Sequence, residues 1–165
     1  MRSQPNRNYK SEDRVMTPDW LAELIVDALQ PSGTILEPCS GQGAFLRALK
    51  GRGKVEWCEI EKGRDFLKRT RRADWIVTNP PWSRFADFLI HGLELADNVA
   101  MLATVNHWWT KRRVREVLDA GFGYRRLVLV DWPQEFPASG FQLGVMHVEK
   151  GYTGAMTIDD RRSRA

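Results

Sequence analysis

The chain has 165 residues, 42% hydrophobic and 28% charged, with net charge +4 and a pI ≈ 9.3. That length suits one domain with its own core, and no apolar run approaches the about 18 residues needed to span a bilayer. The opening MRSQPNRNYKSEDR has no apolar stretch behind its charges, so no signal peptide and no membrane partner are expected, and a cytoplasmic location is.

Residues 1–14 are polar and Arg-rich and read as a mobile basic arm. TPDWLAELIVDAL then reads as a helix, with Thr17 as N-cap, Pro18 in the first helical position and Leu21, Leu24, Ile25, Ala28 and Leu29 on one face. Pro31-Ser32-Gly33 ends it. TILEP is a short buried strand, CSGQG a glycine turn and AFLRALK a helix. VEWCEI and Asp74–Thr78 are strands, FADFLIHGLELA a helix, NVAMLATV a strand and RRVREVLDAG a helix closed by Gly121. YRRLVLVDW and LGVMHVEK follow each other without a helix and are expected to pair antiparallel as a hairpin. Beyond residue 151 the pattern is lost, and 152–165 reads as a flexible tail. The expected fold is therefore α/β, a mostly parallel sheet with a C-terminal antiparallel hairpin, and residues 15–151 form the domain.

In such sheets ligands sit beyond the carboxyl ends of the strands. That places CSGQG, Glu59 and the segment NPPW together. The two glycines let backbone approach a ligand closely, although a plain tight turn would use them too. Their spacing is not that of a triphosphate-binding loop. Glu59, at the end of the second strand, can accept both hydroxyls of a ribose, with Ile60 against a flat base; Glu61 beside it is a competitor. Cys39 and Cys58 read as free thiols, and no Cys or His spacing suits a metal.

Asn79-Pro80-Pro81-Trp82 carries the chemistry. Two prolines cannot continue a sheet ladder. They hold the Pro80 carbonyl beside the Asn79 amide oxygen, two acceptors suited to a group with two N–H donors. Trp82 offers a flat face for stacking. On the plainer reading, the prolines only end the strand and Trp82 packs in the core.

These segments resemble those of the S-adenosylmethionine-dependent amino-methyltransferases, especially the gamma-class DNA adenine-N6 enzymes, over roughly residues 15 to 150. TPDWLAELIVDAL resembles the family's Thr-Pro helix, which makes Thr17 a contact for the methionine end of the cofactor. ILEPCSGQGAFLRAL resembles its cofactor loop, which implicates Glu37, Pro38, Ser40, Gly41, Gly43 and Phe45. CEIEKG and GRDF resemble the ribose and adenine segments, which implicates Glu59, Ile60, Asp65 and Phe66. NPPW resembles the catalytic Asn-Pro-Pro-aromatic motif, whose last position is more often Tyr or Phe. The resemblance implies a Rossmann-like methyltransferase fold, S-adenosyl-L-methionine as cofactor, and methyl transfer to adenine N6 in DNA, as in restriction–modification enzymes. Cytosine-N4, RNA adenine-N6 and protein glutamine-N5 transfer are the alternatives, and a non-catalytic subunit a further one.

Between Glu59 and Asp65 only a turn fits where the family carries a helix, so the fold is expected to be reduced near its third strand. On the target side, His107, Trp108, Phe136 and Phe141 are candidates to line the pocket. The basic runs Lys62–Arg72 and Lys111, Arg112, Arg113 and Arg115 are candidates for phosphate contact, or else solvated faces. With no target-recognition domain expected after residue 150, a homodimer or a separate specificity partner both stay open. Trp82→Phe is expected to be mild if the ring alone matters.

Overall fold

A computed structural model describes residues 15–163; the basic arm expected over 1–14 lies outside them. Helix α1 (Asp19–Leu29) buries Leu21, Ala22, Ile25, Val26, Ala28 and Leu29, the stripe its periodicity predicts. Its N-cap position is Pro18, in extended backbone, and no side chain caps it. Thr17 is therefore not the N-cap; its hydroxyl is turned to Asn79 instead.

Strands β1 (Thr34–Glu37), β2 (Lys54–Trp57), β3 (Ala73–Thr78), β4 (Ala96–Thr104), β5 (Phe122–Leu129), β6 (Leu143–Lys150) and β7 (Thr157–Asp160) form one seven-stranded sheet, in the order β2-β1-β3-β4-β6-β5-β7. Between them run α2 (Ala44–Ala48), α3 (Phe85–Leu95) and α4 (Lys111–Asp119). β1 to β4 are mutually parallel, and β6 lies antiparallel between β4 and β5. The C-terminal hairpin is thus present.

Side chains alternate across the sheet. Ile76, Val99, Met101 and Ala103 join a core beneath α3 and α4, with Phe85, Phe88 and Trp108. Val77, Ala100, Leu102 and Val128 join a second core beneath α1 and α2. Among the described residues no helix is long and apolar enough to cross a membrane.

The expected reduction is visible. From Trp57 to Ala73 the chain makes only two single 3-10 turns, Ile60–Lys62 and Phe66–Lys68, and β2 forms the edge of the sheet. Gly63, at φ 73°, turns the chain between them, where an isolated bridge joins Glu59 and Arg64.

The flexible tail expected over 152–165 is corrected. Residues Thr157–Asp160 are β7, paired parallel with β5. Beyond it Ser163 donates to Asp131 through its backbone N–H (2.8 Å) and its hydroxyl (2.7 Å). Ile158 is 63% exposed, so backbone ladder and these bonds, not apolar burial, hold the strand.

Register decides what shares an edge. Thr104 pairs with Leu143 and Leu129 with Gly144, so the 131–142 loop stands at the same edge as the carboxyl ends of β1, β3 and β4.

Candidate active site

The chain adds β2 on one side of β1 and then β3 on its other side, so the strand order reverses between the parallel strands β1 and β3. At that point the two carboxyl ends are tied together. Glu37 is fully buried and accepts bonds from the Thr78 hydroxyl and the Cys39 N–H (3.1 Å). Burial pushes its carboxyl up to about 8, partly offset by those bonds, so it is held neutral at pH 7. The Cys39 thiol donates to the Asn79 carbonyl (3.1 Å), and burial pushes it well above its ordinary value. A thiol so held is inert as a nucleophile.

The glycine turn is fastened to the second strand. The Ser40 N–H donates to the Cys58 carbonyl (3.0 Å), and the Gly41 N–H to Glu59 Oε2 (2.7 Å). Glu59 also accepts from the Glu61 N–H (3.3 Å), so Glu59, not Glu61, faces the turn. Gly41 sits at φ 49°, and a Cβ there would lie 3.0 Å from Met16 Sδ, so this position requires glycine.

These elements wall a cavity of ≈ 530 Å³. Pro38, Gly41, Glu59, Ile60, Asp65, Phe66, Asn79 and Pro81 line it, all of them expected from sequence. Asp65 accepts from the Leu67 N–H (3.0 Å), which aims the 3-10 turn that carries Phe66. Phe66 is buried against Phe88 (5.1 Å between centroids) and His91 (4.9 Å). Beside this cavity a recess of ≈ 40 Å³ is lined by Thr17, Glu37, Ser40 and Phe45, with Asn79 and Gly41 common to both. Ser40 Oγ is buried there without a partner among the described residues. Gly43 lies elsewhere, on an outer groove with Arg47 and Lys50. Met16, Arg84 and Phe88 also line the main cavity and were not expected. Met16 and Phe88 carry no signal beyond ordinary apolar residues.

Asn79 stands where the two spaces meet. Its Nδ2 donates to Thr17 Oγ1 (3.1 Å) and to the Val15 carbonyl (3.4 Å), and its Oδ1 accepts from the Trp82 indole N–H (3.2 Å). That indole N–H also reaches the Leu102 carbonyl on β4 (3.2 Å).

Trp82 is half-buried and forms one side of an aromatic cluster with His107 (5.7 Å), Trp132 (6.2 Å) and Phe136 (6.1 Å). None of these four rings lines the cavity described above. Phe136 is buried and meets Trp82 edge-on at 76°, so it is a core ring and not an opposing stacking face. Trp108 is fully buried against Phe85, which removes it from the target-side candidates. A bulky ring on the apolar face of a 3-10 turn packs inward. Phe141 is 57% exposed on the loop. His107 Nδ1 lies 2.7 Å from Thr104 Oγ1, and burial holds its pKa below the ordinary value, with the Arg113 charge acting the same way. Trp132, one loop turn from Phe136, was missed; an isolated Trp after a strand gives no positional signal.

The basic runs are largely committed to structure. Arg69 and Arg71 pair with Glu56, Arg72 with Asp97, and Lys62 and Arg64 lie over the Trp57 ring at 5.3 and 3.9 Å. Arg112 and Arg113 both pair with Glu116. Of the expected phosphate contacts, Arg113 is thus largely buried against Glu116, whereas Lys111 and Arg112 are exposed at the start of α4.

The sequence matches no family model and no curated protein. Solved structures do match in fold. The chain is similar to an assigned class I S-adenosylmethionine-dependent methyltransferase of Listeria monocytogenes (TM-score 0.67, 13% identity, 90% of this chain and 66% of that one). It is also similar to the modification subunit of an assigned type I restriction enzyme from Vibrio vulnificus YJ016 (TM-score 0.65, 14% identity, 88% and 46%). A third is the 23S rRNA methyltransferase ErmE (TM-score 0.59, 16% identity, 84% and 72%). The chain spans just under two thirds of the first of these and under half of the second. The fold is the Rossmann-like methyltransferase fold, a seven-stranded mixed sheet with its antiparallel strands toward the C-terminus.

Proposed function

We propose that this chain is an S-adenosylmethionine-dependent amino-methyltransferase whose target is the N6 amine of adenine in DNA. The observation that carries the reading is Asn79, an amide held at the junction of a deep cavity and an aromatic cluster, on a methyltransferase fold.

The site suits the cofactor. Glu59 is a carboxylate at the cavity wall, placed for ribose hydroxyls, with Ile60 and Phe66 as apolar surface for the adenine and Asp65 for its amine. Ser40 Oγ, which has no partner among the described residues, offers polar contacts for the amino-acid end together with Thr17 and the buried Glu37. When bound, S-adenosylmethionine supplies a sulfonium methyl that an amine lone pair attacks, the sulfur leaving as a neutral thioether and the amine's extra proton passing to solvent.

The protein's work is then alignment. Asn79 Oδ1 and the Pro80 carbonyl accept the amine hydrogens, which turns the lone pair toward the methyl and stabilises the positive charge that develops on nitrogen. Trp82 flanks the target. In a duplex the base must first be flipped out, at a cost of a few kcal/mol. Similarity to a modification subunit of a restriction enzyme supports DNA as the substrate and assembly with other subunits. RNA adenine is the second reading, favoured by the similarity to an rRNA methyltransferase.

The test is transfer of labelled methyl to duplex DNA, single-stranded DNA, structured RNA and bulk protein, with the modified products identified by mass. N6-methyladenine in DNA is expected. Label in RNA or protein with DNA blank keeps the transfer chemistry and overturns the substrate; no label anywhere overturns the reading.

A further inference from the structure

An asparagine side chain has four hydrogen-bonding capacities, two donors on nitrogen and two lone pairs on oxygen. Among the described residues, three of those of Asn79 are used. Both amide hydrogens are taken, by Thr17 Oγ1 (3.1 Å) and by the Val15 carbonyl (3.4 Å). One lone pair is taken by the Trp82 indole N–H (3.2 Å). The partners also fix which end of the amide is which. A carbonyl can only accept and an indole N–H can only donate, so a flipped amide would set oxygen against oxygen and N–H against N–H. The single capacity that the described residues leave is one lone pair on Oδ1.

We infer that the Trp82 indole N–H is a positioning group for Asn79, and Thr17 its counterpart on the nitrogen side. Together they hold the amide with one acceptor lone pair presented to the target amine. The inference rests on the amino-transfer reading above and deepens it. Trp82 is itself anchored, because its N–H is shared with the Leu102 carbonyl of β4 (3.2 Å) and its ring is boxed by His107, Trp132 and Phe136. The anchor therefore runs from a central strand, through the indole, to the amide. A Phe at position 82 keeps a ring and has no donor to give. The expectation that Trp82→Phe is mild, which follows if only stacking matters, is accordingly reversed.

The experiment compares Trp82→Phe, Thr17→Val and Thr17→Ser with wild type on whichever acceptor the wild type methylates. The readouts are kcat at saturating cofactor, acceptor KM, cofactor Kd and Tm. Trp82→Phe is expected to lower kcat by about tenfold to a hundredfold, the scale of misaligned reacting groups, with acceptor KM and cofactor Kd little changed. Thr17→Val also lowers kcat at saturating cofactor, apart from any change in cofactor Kd through the amino-acid end, and Thr17→Ser restores it. The double variant Trp82→Phe/Thr17→Val loses less than the product of the single losses, because both act through one amide. A merely structural role would move Tm and leave kcat. Wild-type kcat in Trp82→Phe, or equal kcat in Thr17→Val and Thr17→Ser, overturns the inference while the transfer reading stands. If Trp82→Phe does not fold, the two Thr17 variants decide it alone. A wild type that methylates none of the acceptors defeats the transfer reading, and this inference with it.

Discussion

The two ends of the site are built differently. On the side of Glu59 there is open space, ≈ 530 Å³, walled by backbone, the acids Glu59, Glu61 and Asp65, the cations Lys62 and Arg84, and a few apolar side chains. On the side of Trp82 four rings pack together, Trp132 and Phe136 edge-on to the indole and His107 tilted against it, and the half-buried indole is tied by hydrogen bonds to Asn79 and to β4. Asn79 belongs to both. The contrast implies that a small ligand can enter the first end of a preformed site, whereas a flat target must find its place against rings already in contact with one another. Binding and transfer should therefore respond to different residues.

Asn79→Ala breaks the shared element and has the largest effect. Transfer should fall by about a hundredfold or more, as for loss of a preorganised polar group. Cofactor binding should stay within about tenfold, about 1.4 kcal/mol. Comparable losses in both would mean that the two ends are not separable at this residue. Phe136→Ala comes next. It empties a buried ring position and should cost about 3 kcal/mol of stability, read by denaturant unfolding. Among the ligand measurements it should weaken turnover and leave cofactor Kd alone, and a change in Kd would blur the contrast.

The third test is pH. Glu37 is raised from 4.5 to about 8 in the folded protein, chiefly by burial. Between those values the folded chain holds a proton that the unfolded chain has lost, so this group's contribution is present below its unfolded pKa and disappears as pH rises through about 8. Apo stability should fall across that window, and Glu37→Gln should flatten the slope. An unchanged slope would mean that the carboxyl is already ionised. The smallest effect is expected from Lys111→Ala, an exposed cation near the target end. It should lower affinity for DNA by reducing the salt slope by about one; an unchanged slope would take α4 out of the binding surface.

Much of the cofactor end was legible because it depends on residues whose backbone or charge has few alternative uses. Glycines between strand and helix, an acid at a strand end and an Asn followed by two prolines state their position directly. Even Asp65 and Phe66 reach the cavity, although only one 3-10 turn, Ile60–Lys62, separates them from Glu59. The target end was harder to read, since aromatic rings serve as core and as binding surface alike. Nothing in the sequence separates buried Trp108 from half-buried Trp132. Clustered arginines were similarly ambiguous, because their carboxylate partners, Glu56 and Asp97, lie far along the chain from some of them. β7 escaped notice for a third reason. A strand with Ile158 outward and two aspartates at its end has neither apolar alternation nor a buried face to betray it.

The central claim is that the cavity beside Asn79 holds the methyl donor. It is tested most directly by calorimetric titration of S-adenosylmethionine into the wild type, Glu59→Ala and Asn79→Ala. The account predicts saturable binding to the wild type, weakened by about tenfold to a hundredfold in Glu59→Ala, the loss of charge-assisted hydrogen bonds, and nearly kept in Asn79→Ala. No binding to the wild type, or full binding to Glu59→Ala, would contradict it.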